Sequence, residues 1–432
     1  MLKKSIALMM SVLVITSIAS ITSGCGVKKA DVATNTPVKE KFVFWDKSEY
    51  VKAYNDTQQQ KIKEFGEKNN VDTEYVIIPP SDLKQKLTAA IEAKNPPDLV
   101  VTDEFVAGQF AGMGQLVATD DILKQIDFAD YAKRLAMTKG ENFMVPQALL
   151  APGFYLRKDK WDAKGLKYPE TWQELKEQAK IVNDPKNNFY ALGLPMGASG
   201  GGDAEGFCRS VISSFGGVLV DKDSNIKANS PQTLEALKFI SSLYIEKLCP
   251  PSAVTWDDAG NNTAYSAGTV GVVFNSGSIM NDIKTNKPDI NANTIILPYP
   301  KGSNGAFSLG GGNVFAIFKN GKGTEAAKKY VISFFEKDSY QKIVENMNGM
   351  WQPVINGVDN TDFWKKAENS GWLANSKVLV ANSYPEEAND FNSKAISSQL
   401  CVKSIQRIIV NGMDPQKSLD TLEQDLKKVY GK

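Results

Sequence analysis

The stretch from Lys41 to Thr102 constrains the fold most, because it alternates short apolar runs with amphipathic ones in a pattern that argues a wound α/β structure. Lys41 to Trp45 reads as a strand. Tyr50 to Asn69 places Tyr54, Ile62 and Phe65 at helical spacing, and Thr73 to Ile78 is the next strand. Ser81 is positioned to cap a helix from Asp82 to Ala93; Pro96 and Pro97 stop it, and Asp98 to Thr102 follows as a buried strand. Further on, Thr171-Trp172-Gln173-Glu174 is a capping box, in which hydroxyl and carboxylate exchange bonds with each other's backbone amides. Ser230-Pro231, Thr324 and Asp414-Pro415 mark three more helix starts. A chain of 432 residues is too long for one hydrophobic core, so two domains are expected.

Ahead of this pattern stand Lys3 and Lys4, an apolar run from Ser5 to Ile21, the small residues Thr22, Ser23 and Gly24, and then Cys25. Basic, apolar and small-residue regions in that order describe an export leader. With the cysteine directly behind it, the segment resembles a bacterial lipoprotein signal. One departure is Thr22, where such signals prefer Leu, Val or Ile. Residues 1–24 are expected as the signal, Cys25 as the lipidated first residue, and residues 25–40 as a flexible tether, because Val27 to Glu40 shows no hydrophobic periodicity. Two acyl chains suffice for stable anchoring, which places the protein at the extracytoplasmic face of the cell membrane. No later stretch is long and apolar enough to span a bilayer.

Composition removes whole classes of function. Fifty basic residues meet 49 acidic ones, and loss of Lys3 and Lys4 leaves about −1, so the footprint of a nucleic-acid binder is missing. The chain contains no histidine, which excludes Ser-His-Asp hydrolysis and most zinc chemistry. Gly321-Lys322 has Ala316 where a P-loop needs its first glycine, and Gly200-Gly201-Gly202 does not join a strand to a helix. Asp221, Asp223 and Asn225 imitate a calcium loop, yet Ile226 and Gln232 replace its glycine and closing glutamate, so a polar hairpin turn is expected. No cofactor or metal is expected. With Cys25 committed to lipid, Cys208, Cys249 and Cys401 remain; Cys208 and Cys249 could bridge, or all three could pack as buried thiols.

Several segments then carry a resemblance in their order and spacing. They are Phe44-Trp45, Pro96-Pro97-Asp98-Leu99-Val100-Val101, Val145-Pro146, the run Tyr155 to Trp161, Tyr168-Pro169-Glu170-Thr171-Trp172, Gly268-Thr269-Val270-Gly271-Val272, and the helix from Ala326-Ala327 to Phe334-Phe335. Together they resemble the extracellular solute-binding family typified by the maltose-binding protein, over nearly the whole mature chain. The resemblance implies the type II periplasmic-binding-protein fold: two α/β lobes, each a mixed sheet flanked by helices, joined by three crossover hinge strands. Matching segments place lobe one at residues 41–148 and 302–337 and lobe two at 152–297 and 338–432. It also implies a non-enzymatic, monomeric receptor that delivers a small polar ligand to the permease subunits of an ABC importer.

Ligand would lie between the lobes, at the carboxyl ends of their strands. The residues expected there are Trp45, Asp46, Lys47, Glu49 and Tyr50 after the first strand, Thr102, Asp103 and Glu104 after the third, Asn275, Ser276 and Ser278 in lobe two, and Trp351 and Tyr384 in late loops. Aromatic faces for the CH side of a pyranose and planar polar groups for its hydroxyls make carbohydrate the expected ligand. Ser278 stands where the maltose-binding protein has a stacking tryptophan, so the sugar need not be a maltodextrin. The alternative within the same role is a non-sugar solute such as a polyamine, a glycerophosphodiester or a peptide. Arg134, Arg157, Arg209 and Arg407 all fall away from the expected cleft, which counts against phosphate. A glycosidase is disfavoured, because Asp103 and Glu104, as strand neighbours, point to opposite faces and cannot be its facing carboxylates.

Overall fold

The computed structural model describes residues 39–432 apart from 50, 139, 199–201 and 388. The expected leader, Cys25, nearly all of the expected tether, Tyr50, Gly200 and Gly201 lie outside the described residues. Among the described residues no helix is long and apolar enough to cross a membrane.

In chain order, the first lobe opens with β1 (Glu40–Lys47), α1 (Lys52–Asn69), β2 (Val71–Ile78), α2 (Pro80–Glu92), β3 (Leu99–Asp103) and α3 (Glu104–Gly112). Strand β4 (Val145–Leu150) leads directly into β5 (Gly153–Arg157), which opens the second lobe with α4 (Trp172–Val182), β6 (Tyr190–Leu192), α5 (Asp203–Ser214) and α6 (Pro231–Ile245). Strand β7 (Val270–Asn275), α7 (Ser278–Asn286) and β8 (Thr294–Leu297) follow, and the chain returns through β9 (Ser308–Leu309) to β10 (Gly311–Ile317), α8 (Thr324–Phe334) and α9 (Lys337–Asn346). The last elements are α10 (Ala367–Lys377), β11 (Leu379–Val380), α11 (Asp390–Ser397), α12 (Leu400–Ile409) and α13 (Pro415–Tyr430).

One sheet has the order β2-β1-β3-β10-β4 and the other β8-β5-β7-β6. In the first, β1 runs parallel to β2 and β3 while β10 is antiparallel to both of its neighbours. Parallel strands covered on both faces must be apolar throughout, and Leu99 to Thr102 of β3 are accordingly buried at every position. On β1 alternation sends Phe42, Phe44 and Asp46 to one buried face, where the two rings pack with Tyr330 of α8. The second lobe has its own core around Trp161, Trp172, Phe207 and Phe274. Cys208, Cys249 and Cys401 are buried free thiols.

Local signals hold at the expected helix starts with side-chain caps. Thr171 Oγ1 accepts from Glu174 N at 3.1 Å while Glu174 Oε2 accepts from Thr171 N at 3.1 Å. Ser230 and Asp414 cap α6 and α13 ahead of their prolines, and Asp221 closes its turn by accepting from the Asp223 and Asn225 amides. Two starts differ. Helix α2 begins at Pro80, whose fixed φ suits the first helical position, and Ser81 bonds Asp82 instead of capping. Thr324 is the first residue of α8, behind Gly323, whose N–H is taken by the buried Asp98 at 2.6 Å.

The third crossing expected at Lys337 to Asp338 also differs. Helix α9 stays with the first lobe: Tyr340 Oη donates to Gln147 O at 2.8 Å, and Ala129 N donates to Val354 O at 2.9 Å. The chain rejoins the second sheet with α10, whose Asn375 bonds Leu297 O at 3.2 Å. Its apolar face of Tyr340, Ile343 and Val344 identifies α9 as amphipathic but does not say which sheet it covers.

Candidate interlobe binding cleft

Strand β3 ends at Asp103, whose Oδ1 accepts from Val106 N at 2.8 Å and so starts α3. This cap sets Glu104 and Phe105 at the helix's first turn, facing a cleft of about 770 Å³. Lobe one contributes Asp103, Glu104, Phe105, Leu150, Gly311 and Gly312 to its walls. Lobe two contributes Ala198, Gly202, residues 381–383, Ser393, Ile396 to Gln399, and Lys403. The second wall is dominated by hydroxyls and amides on α11 and the turn into α12, beside the apolar Ile396.

Glu104 lies folded over the start of β10. Its Oε2 accepts from Gly312 N at 2.7 Å, and a Cβ on Gly311 would collide with the carboxylate. Only glycine at 311 lets Glu104 take this position. Burial pushes the Glu104 carboxyl up to about 7, with the Asp103 charge adding, while the Gly312 N–H and the Arg134 guanidinium pull the other way. Arg134, expected away from the cleft, is thus a neighbour of its acidic edge. A carboxyl poised near neutrality can accept from one hydroxyl or donate to another, which suits a ligand presenting both.

The other expected residues are engaged elsewhere. Asp46 is fully buried and accepts from Tyr54 Oη at 3.1 Å and Tyr75 Oη at 2.9 Å; burial raises its carboxyl to about 8. Lys47 pairs with Glu49 at 3.4 Å, and Glu49 Oε1 accepts from Asn313 Nδ2 at 3.0 Å. Trp45 is half-buried against the first core, and Thr102 is buried within β3. Asn275 donates to Asp203 Oδ2 at 2.7 Å and Asn261 Oδ1 at 3.0 Å, tying β7 to the start of α5. Ser276 and Ser278 bond each other at 2.9 Å, and a Cβ on Gly277 between them would collide with the Met350 backbone.

Trp351 is not a cleft residue. It is wholly buried, with its ring 4.6 Å from Tyr54 in an edge contact. Tyr384 is 43% exposed and leans on Phe307, while its neighbour Ser383 faces the cleft. Of the expected set, the structure therefore brings Asp103 and Glu104 to the cleft walls. Sequence reasoning reached the turn at Ser383 and Tyr384 but missed Phe105 and the segment from Ser393 to Lys403. Phe105 directly follows the two acidic residues it singled out, whereas the far segment shows only scattered serines and amides.

Residues 51–341 match the family described as bacterial extracellular solute-binding protein. The chain belongs to this family. The solute-binding protein is 27% identical over 219 residues to the maltotriose-binding protein of Pyrococcus abyssi, a match covering 49% of this chain and 45% of that one. It is 23% identical over 350 residues to the polygalacturonan/rhamnogalacturonan-binding protein of Bacillus subtilis, covering 75% and 69%. Among solved structures it superposes on the sugar-binding protein MalE of Xanthomonas citri with a TM-score of 0.77 at 16% identity, covering 90% of this chain and 97% of that one. That likeness establishes the two-lobed α/β fold. The family consists of non-enzymatic transport components.

Proposed function

We propose that this solute-binding protein is the lipid-anchored receptor of an ABC importer, that its ligand is a carbohydrate, and that Cys25 carries the anchor. The observation that carries the ligand reading is the cleft itself. One wall offers hydroxyls and amides from Asn382 to Gln399, the other offers Asp103, the Glu104 carboxyl and the Phe105 ring, and Leu150 and Ile396 supply apolar surface between them. Sugar recognition needs this mixture of planar polar groups and flat apolar faces. Pyrococcus and Bacillus relatives whose names specify carbohydrates support the same reading.

Function follows from the two walls belonging to different lobes. Ligand held by both walls favours the closed arrangement by the difference between its affinities for the closed and open forms. The permease subunits would then engage the closed form and accept the cargo. Asp103 and Glu104 are already committed to Val106 N and Gly312 N, which suits a positioning role better than hydrolysis.

A thermal-shift screen of the purified protein against sugars, uronates, polyamines and glycerophosphodiesters tests the proposal. A ligand at 100 times its Kd adds about 2.7 kcal/mol of stability. A rise with one sugar class is expected. A rise with an amine or a phosphodiester and none with any sugar would overturn the carbohydrate reading.

A further inference from the structure

Beyond Phe105 lies a second cavity of about 220 Å³, lined by Phe105, Gly108, Gln109 and Gly112 of α3, by Met113 directly after it, and by Asn389 and Asp390 of the other lobe. Phe105 lines both this chamber and the main cleft, so the two share it as a wall. Together they offer about 1,000 Å³, the upper end of what small-molecule sites enclose and more than one sugar ring fills. Along the chamber, the apolar Phe105 and Met113 stand beside the polar Gln109, Thr138, Asn389 and Asp390. The mixture of the main cleft therefore continues.

The chamber floor is open because α3 carries glycine at two positions facing it. A Cβ added at Gly112 would meet nothing within 4 Å, and one at Gly108 would make only an ordinary contact with Thr138 Oγ1 at 3.5 Å. Glycine is disfavoured in helices, and no neighbour here requires it. The space beside both glycines is therefore open.

We infer that the ligand is an extended oligosaccharide that runs from the main cleft across Phe105, with its far units in this chamber, which sets the chain length the protein prefers. The inference rests on the carbohydrate reading above and adds the ligand's length and direction. Phe105 is then the specificity-determining residue at the junction.

The test uses calorimetric Kd values for maltodextrin, cellodextrin and oligogalacturonate ladders, each from disaccharide to heptasaccharide, with wild type and Gly112→Leu. The Cβ of a leucine at 112, a lining position of the chamber, meets nothing within 4 Å, and leucine favours the helix, so the unfolding midpoint should hold. In the ladder that binds, wild type should gain on the order of tenfold in affinity from short to long members, worth about 1.4 kcal/mol. Gly112→Leu should keep the affinity for the short members and lose the gain. Met113→Trp, at a side chain 64% exposed, fills the chamber from its rim and must show the same loss. A wild type that gains nothing beyond the disaccharide, or a gain that survives both substitutions, overturns the inference and leaves the carbohydrate reading standing. Failure of every ladder to bind overturns the inference, and the thermal-shift screen against all sugar classes then decides the carbohydrate reading.

Discussion

Truncating a side chain costs what it buries, and the two tryptophans first matched to the ligand bury very different amounts. Trp351 is enclosed beside Tyr54, whereas Trp45 is only half-buried at the edge of the first core. Trp351→Ala should therefore lose about 3–5 kcal/mol, read as a lower urea midpoint at an unchanged slope, and Trp45→Ala should lose clearly less. A Trp351→Ala protein as stable as wild type would contradict the core assignment. The sequence held part of this information. Phe42, Phe44 and Asp46 sit two apart on one strand, so a core face containing the two phenylalanines must also contain the aspartate. For Trp351 no comparable rule was within reach, because its surroundings come from residues nearly 300 positions earlier.

At the scale of elements, two buried amides fasten the connections between the lobes. Asn375 on α10 accepts from Tyr299 N at 2.7 Å and donates to Leu297 O at 3.2 Å and Pro152 O at 3.3 Å, so one side chain holds two crossings. Gln352 accepts from Ala151 N at 2.7 Å and donates to Gly349 O at 2.6 Å. Asn375→Leu should leave the Tyr299 amide without its partner, at a cost of about 1–3 kcal/mol, and speed its hydrogen exchange. Unchanged protection at Tyr299 would show that the clamp is dispensable. Helix starts such as Thr171 and Ser230 were legible because a cap and its amides lie within one turn. The lobe covered by α9 was not, since amphipathicity fixes a helix's buried face and leaves its partner open.

Across the whole molecule, desolvation raises three carboxyls above their ordinary range: the buried Asp46 to about 8, and the half-buried Glu104 and Asp203 to about 7. In each case burial is the first cause. A folded-state value above the unfolded one means that the fold favours the protonated form. Stability from these groups is complete below about 4 and is lost as pH rises toward 8. The melting temperature should therefore fall between pH 5 and pH 8.5, by an amount equivalent to a few kcal/mol, and Asp46→Asn should flatten the decline. A melting temperature that rises over this interval would refute the assignment. The two-lobed plan itself was legible from the order of short motifs spread along the chain, whereas the cleft was legible at Asp103 and Glu104, where strand and helix meet within a few residues, and at the late turn holding Ser383. Strand order has a last consequence, for the timing of folding. Strand β10 stands between β3 and β4 and pairs with both, so those two earlier strands have no common neighbour until Ile317 has been synthesised. The first lobe is thus kept waiting for one of its interior strands while the intervening residues build most of the second, a long-range closure that makes its assembly slow.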